Sequence, residues 1–205
     1  RRGVQHGAAA ATKGDAAGAV DGVKDGKYAF HTGQEPNPWW QVDLGESLPL
    51  GRIVVCNRLD YAPGLHNADH LLILTSDDGK AWTLRHENKQ HFGGVSGAKP
   101  LEVAFKEGEV RGRFVRLQIP SQQAIFFHLD EVEVYGPGAN AKNLALHRPA
   151  DQSSLSQWSV AKATPAVPGS YPTDKVIERG RRLAADLAER GLDAKPFLAQ
   201  LDGAE

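Results

Sequence analysis

Arg58 and Asp60 stand two residues apart in a stretch that reads as the end of a β-strand, so both side chains leave the same side of an extended chain. A guanidinium presents fixed, paired N–H donors that fork onto neighbouring oxygens, which suits adjacent hydroxyls or a carboxylate. The pair therefore has two readings. It is a ligand-holding arginine oriented by its carboxylate, or a strand-end ion pair worth about 0–1 kcal/mol. His31, farther up the chain, offers a nitrogen that can donate or accept. A second chemistry is suggested by Val20-Asp21-Gly22-Val23-Lys24-Asp25-Gly26, an acidic turn that glycine allows to fold sharply. Calcium needs six to eight oxygens, many of them carbonyls of such a loop, but an acidic turn is more often only a solvated one.

Other chemistries find little support. The eight histidines are scattered, and no spacing among them or with the single cysteine suggests zinc. Ser153, Ser154 and Ser156 lack a partner pattern for nucleophilic catalysis, and Asp77-Asp78 reads as a hairpin turn. Nothing amounts to an active site. A formal net charge of −1 over 205 residues gives no field that would collect nucleic acid or an anionic membrane. No apolar run approaches the roughly 18 residues that span a bilayer. Cys56, in the run Ile53-Val54-Val55-Cys56, is read as a buried, inert thiol.

These residues need a frame, and from 37 to 136 the chain shows short apolar runs separated by turn residues, the pattern of an all-β sandwich. Strands are expected at Trp40–Leu44, Arg52–Arg58, His70–Ser76, across a tight turn at Ala81–Leu84, at Leu101–Phe105, at Val115–Ile119 and at Glu131–Tyr135. Residues 1–14 read as a flexible lead-in and 15–138 as the sandwich. Residues 139–172 form a connector, either a truncated repeat or an edge strand beside the closing Glu131–Tyr135 strand, which would cover an exposed edge. Residues 173–205 read as a helical tail whose stripe (Val176, Ile177, Leu183, Leu187) packs on its own domain or, through 173–190, on an adjoining module.

The ordered motifs Ala-Val-Asp-Gly, Asn-Pro-Trp-Trp-Gln-Val-Asp-Leu-Gly, Leu-Thr-Ser-Asp-Asp-Gly-Lys-Ala-Trp, Arg-Phe-Val-Arg-Leu-Gln-Ile and Glu-Val-Glu-Val-Tyr-Gly resemble the discoidin family (coagulation-factor type C domains) over residues 15 to 138. That resemblance implies an eight-stranded antiparallel jelly-roll-like β-sandwich whose loops at one end bind ligands. Within the family the chain looks closest to the fucose-binding F-type lectins, whose motif is His, 26 residues, Arg-x-Asp, four residues, Arg or Lys. His31, Arg58 and Asp60 match it. The last cation does not, since Leu65 stands there with His66 beside it. The adjacent cysteines that often follow the Asp are replaced by Tyr61 and Ala62. The resemblance implies a sugar site of His31, Arg58 and Asp60. Tyr61, His66 and Phe92 are further candidates to touch the ligand.

The same likeness implies a structural calcium held by the Asp21 and Glu131 carboxylates and by backbone oxygens of Gly18, Val23 and Asp130, in a loop shorter than those lectins carry. The expectation is thus a non-catalytic, calcium-stabilised, lectin-like domain at an extracellular or bacterial cell surface, with a glycan, fucose or a related sugar, as partner. A protein–protein adhesion module and a phospholipid-surface module are the alternatives.

Overall fold

A computed structural model describes residues 11–160. The first ten residues of the lead-in, the connector from 161 to 172 and the expected helical tail at 173–205 lie outside the described residues. Among the described residues eight strands form two antiparallel sheets, the number that the resemblance implies. They are β1 (Trp39–Leu50), β2 (Arg52–Cys56), β3 (Leu71–Ser76), β4 (Thr83–Asn88), β5 (Leu101–Ala104), β6 (Val110–Gln118), β7 (Glu131–Tyr135) and β8 (Ala150–Gln152). One sheet has the order β4-β3-β6-β1-β8 and the other β5-β2-β7.

The period of two decides which face is dry. Trp40, Val42 and Leu44 of β1, Val115 and Leu117 of β6, and Leu71 and Ile73 of β3 point inward from the larger sheet. Ile53 and Val55 of β2 and Val132 and Val134 of β7 meet them from the smaller one. Full burial of each such side chain is worth about 1.5–3 kcal/mol. On the outer face Arg116 lies between Trp39 (4.3 Å from ring centre) and Trp82 (4.0 Å) and bonds Gln41 Oε1. The Pro-Trp-Trp entry is therefore scaffold: Trp40 is core and Trp39 is an outer-face platform. Cys56 is buried, and burial pushes its thiol up to about 11, which leaves it protonated and inert.

Two expectations change. The lead-in is ordered from Thr12. Helix α1 (Thr12–Ala16) runs into a 3-10 turn (Ala17–Val20), because Ala16, Ala19 and Val20 are small enough to pack directly on the core. Asp15 is buried with them and becomes an acceptor for three distant groups. Its Oδ2 takes the His31 N–H (2.8 Å) and Gln152 Nε2 (3.0 Å), and its Oδ1 takes the Val160 N–H (2.8 Å).

The connector does supply an edge strand, but beside β1 rather than the closing strand. Trp40 pairs with Gln152, Gln41 with Asp151 and Val42 with Ala150. Only a single bridge, Tyr135 with Asn143, lies against β7, where Asn143 Oδ1 also accepts from the Val134 N–H. The same segment thus touches the margin of both sheets, pairing along part of β1 and meeting the end of β7.

Candidate ligand-binding site

A cavity of about 480 Å³ opens among the loops at one end of the sandwich. Arg58, two residues past the end of β2, is 6 % exposed and lies on its wall. Its Nε donates to Asp60 Oδ1 at 2.6 Å, and its guanidinium carbon sits 4.6 Å from the Tyr28 ring centre and 5.4 Å from that of Tyr61. The carboxylate and the two rings hold the plane of the guanidinium. Its Nη atoms make no hydrogen bond among the described residues, which leaves a pair of donors for a ligand. Asp60 does not line the cavity; it positions Arg58.

His31 is 5 % exposed. Its Nδ1 lies 2.9 Å from the Thr32 carbonyl oxygen, to which it donates, so the neutral ring presents Nε2 as an acceptor. Beside it, with ring centres 5.0 Å apart, is His128. The amide Nδ2 of Asn67 donates to His128 Nε2 (3.2 Å) and to the Phe126 carbonyl (3.1 Å), which places the His128 proton on Nδ1. Burial is the main force holding both histidines neutral. His31 is lowered by it, and His128, whose protonation is further opposed by its neighbours His31 and Arg58, is driven down to about 3.

Beside the polar groups stands an aromatic wall. Trp158 lies 4.9 Å from the His31 ring and 5.3 Å, edge to face, from Phe126, which in turn is 5.2 Å from His31. Tyr28 closes the corner at 5.5 Å from His31. Trp158 is held by its neighbours rather than by its own ring: Ser159 Oγ donates to the His31 carbonyl (2.7 Å) and the Val160 N–H to Asp15 (2.8 Å).

Of the six expected sugar contacts, His31, Arg58 and Tyr61 line the cavity and Asp60 supports it. Two do not belong to it. The His66 side chain is 71 % exposed and bonds Asp69, so it is spent outside the cavity. Phe92 is 4 % exposed and packs into the core, because Gly93 and Gly94 bring the loop backbone against Ala98 and Asn57 and turn the preceding ring inward. Tyr28, Phe126, His128 and Trp158 were not foreseen. For Phe126 and His128 the available signal is their alternation with the buried Phe127 ahead of β7.

The acidic loop is brought to β7 as expected. Gly22 turns at φ +82°, and its N–H donates to Glu131 Oε1 (3.0 Å), while the Gly26 N–H donates to Asp130 Oδ2 (3.0 Å). Glu131 is fully buried, and its Oε2 has no hydrogen-bond partner among the described residues. Burial, with the charges of Asp21, Glu133 and Asp130, pushes its carboxyl up to about 9, and burial raises Asp130 to about 6. The orphaned Glu131 oxygen, beside a loop that carries the Asp21 carboxylate, is oxygen chemistry that fits a hard divalent cation; the carbonyls of Gly18, Val23 and Asp130 are the further donors that the resemblance implies.

The chain matches the F5/8 type C domain over residues 5–132 and belongs to that family. Among curated proteins it is 28 % identical over 121 residues to Fucolectin-5 of Anguilla japonica, which takes in 57 % of this chain and 61 % of that one. It thus spans about three fifths of that relative's length. Among solved structures, a histidine mutant of the lectin-binding domain of Lectinolysin complexed with Lewis b is similar at 30 % identity and a TM-score of 0.50. The match covers 64 % of this chain and 89 % of that one. An F-lectin from Morone saxatilis (striped bass) serum is similar at 28 % identity and a TM-score of 0.51, over 61 % of this chain and 43 % of that one. A Streptococcus pneumoniae fucose-binding module, at 24 % identity and a TM-score of 0.51, shares the fold over 63 % of this chain and 91 % of its own.

Proposed function

We propose that this is a non-catalytic, lectin-like domain that binds one sugar residue of a glycan, fucose or a related sugar, at an extracellular or bacterial cell surface. The observation that carries the reading is Arg58. It is buried, fixed between two tyrosines and Asp60, with its Nη donors aimed at no partner among the described residues, and it stands on the same cavity as His31 and Trp158. The Nη pair forks onto two adjacent hydroxyls. His31 Nε2 accepts from a third, its tautomer set by the bond from Nδ1 to the Thr32 carbonyl. Trp158 and Phe126 offer an apolar surface to the C–H face of the ring. The fucose-directed relatives support this reading of the site.

Leu65 stands where those lectins place a second cation, and its carbonyl is occupied by Asn57 Nδ2 (2.8 Å). Loss of that cation forfeits charge-assisted bonds worth on the order of 1.5–3 kcal/mol, so affinity rests more heavily on the aromatic wall. Calcium belongs to the same proposal. Glu131, Asp21 and the carbonyls of Gly18, Val23 and Asp130 would hold it, and the ion would fix the loop that leads into Tyr28 and His31. It takes no part in the contact with sugar.

A glycan array probed with and without chelator tests the reading. Binding to a fucosylated or related glycan is expected in the wild type and at least about tenfold weaker binding in Arg58→Lys, which keeps the charge and loses the fork. Silence on every glycan would overturn it.

A further inference from the structure

We infer that His66, Asp69 and His91 form a binding site for a divalent transition-metal ion of the zinc type, on the outer surface and separate from both the cavity and the acidic loop. His66 Nδ1 lies 2.7 Å from Asp69 Oδ2, and His91 Nδ1 lies 2.8 Å from Asp69 Oδ1. The two imidazole rings are 4.6 Å apart, and one ligand atom from each of the three residues falls within 4.8 Å of the others. Two imidazoles and one carboxylate suit zinc, whose bonds to such atoms are about 2.0–2.2 Å long, and disfavour calcium or magnesium, which want oxygen alone.

Without metal each ring donates its Nδ1 proton to the shared carboxylate. On binding, each neutral imidazole carries its proton on Nε2 instead, and the freed Nδ1 lone pairs and one Asp69 oxygen take the ion. The proton count of the rings does not change. With His66 71 % and His91 38 % exposed at the side chain, the outer side stays open for water as a fourth ligand.

The residues behind the triad are built to hold it. Asn88, 8 % exposed, donates from Nδ2 to the Asp69 carbonyl (2.9 Å) and the Gln90 carbonyl (2.6 Å). Asn57, fully buried, donates to the carbonyls of Leu65 (2.8 Å) and Phe92 (3.2 Å), the immediate neighbours of His66 and His91. Two buried amides therefore clamp both loops beside the ligands, so little ordering remains when the ion arrives. The three ligands come from segments 22 residues apart in sequence, which is why no spacing motif betrays them.

Calorimetric titration of ZnCl2 into the full, tag-free chain, cleared of metal by chelator, is expected to show one tight ion per chain. Affinity should fall at least about tenfold in His66→Ala and in His91→Ala and stay unchanged in His70→Ala, whose ring pairs with Glu87 nearby. Side-chain nitrogen NMR of the wild type should show the His66 and His91 protons move from Nδ1 to Nε2 as zinc is added. This readout holds even if a variant fails to fold. No binding in millimolar ZnCl2, affinity unchanged in the double variant, or no tautomer change at these two rings would each overturn the inference.

Discussion

The hydroxyl of Ser159 donates to the main-chain carbonyl of His31 across 2.7 Å of space and 128 residues of sequence. The bond closes the far end of the described chain onto a residue of the ligand cavity. It sets Trp158 as a wall, although Trp158 lies beyond residues 5–132, where the chain matches its family. Each element of that arrangement yields a measurement.

Trp158→Ala should weaken sugar binding about 2- to 12-fold, the equivalent of about 0.5–1.5 kcal/mol for an aromatic contact. Its ring is 41 % exposed, so the melting temperature should hardly move. Calorimetry against a fucosylated oligosaccharide, beside a thermal melt, separates the two. Unchanged affinity would remove Trp158 from the site.

Gln152→Ala should be costly. Its Nε2, in a residue 2 % exposed, donates to Asp15 Oδ2, the His31 carbonyl and the Ser154 carbonyl at 3.0, 3.2 and 2.7 Å. Removing the amide leaves a buried carboxylate under-satisfied, a loss of about 1–3 kcal/mol. Urea unfolding reads it directly as a lower midpoint at unchanged slope.

His128 makes the fold sensitive to acid. Its ring is pushed down to about 3 in the folded chain and titrates near 6.5 when unfolded. The unfolded state therefore binds the proton first as pH falls. The stability owed to the neutral ring is complete above about 6.5 and drains away between there and about 3, by at most about 1.4 kcal/mol per pH unit. His31, also lowered, acts in the same direction. Urea midpoints measured from pH 7 to 4 should fall less steeply in His128→Gln than in the wild type. Parallel slopes would count against a buried neutral His128.

Calcium should raise the melting temperature, since an ion bound only to the folded state at about a hundred times its Kd adds about 2.7 kcal/mol. Glu131→Gln should abolish that rise. In chelator the variant should melt no lower than the wild type, because a neutral amide replaces a carboxyl whose ionised form is disfavoured by burial. Calorimetric scans in CaCl2 and in chelator give all four numbers. A wild type indifferent to calcium would exclude the ion.

The sandwich was legible because alternation is a local signal. Trp40, Val42 and Leu44 announce their face from three letters, and the structure buries all three. The Arg58–Asp60 pair was legible from its spacing and is found bonded, although the strand expected to carry Arg58 stops at Cys56. Loops carry no such period. Nothing local says that Phe92 turns into the core or that His66 turns to Asp69, because Gly93, Gly94 and the Asn57 amide decide those directions from elsewhere. Asp15 was hidden in an alanine-rich stretch that looks like tail until its acceptors are matched with His31, Gln152 and Val160. The pairing of β8 with β1 rather than β7 was beyond reach, because a three-residue strand has too few side chains to specify its neighbour.

At the end of the described residues, the Val160 N–H bonds Asp15 and the Ser159 hydroxyl bonds the His31 carbonyl. These two bonds anchor the peptide that presents the His31 ring and the residue that precedes them is Trp158. The segment that carries Trp158 and the peptide that presents His31 are thus tied together, so a change at Ser159 or Val160 reaches the aromatic and the polar side of the cavity at once.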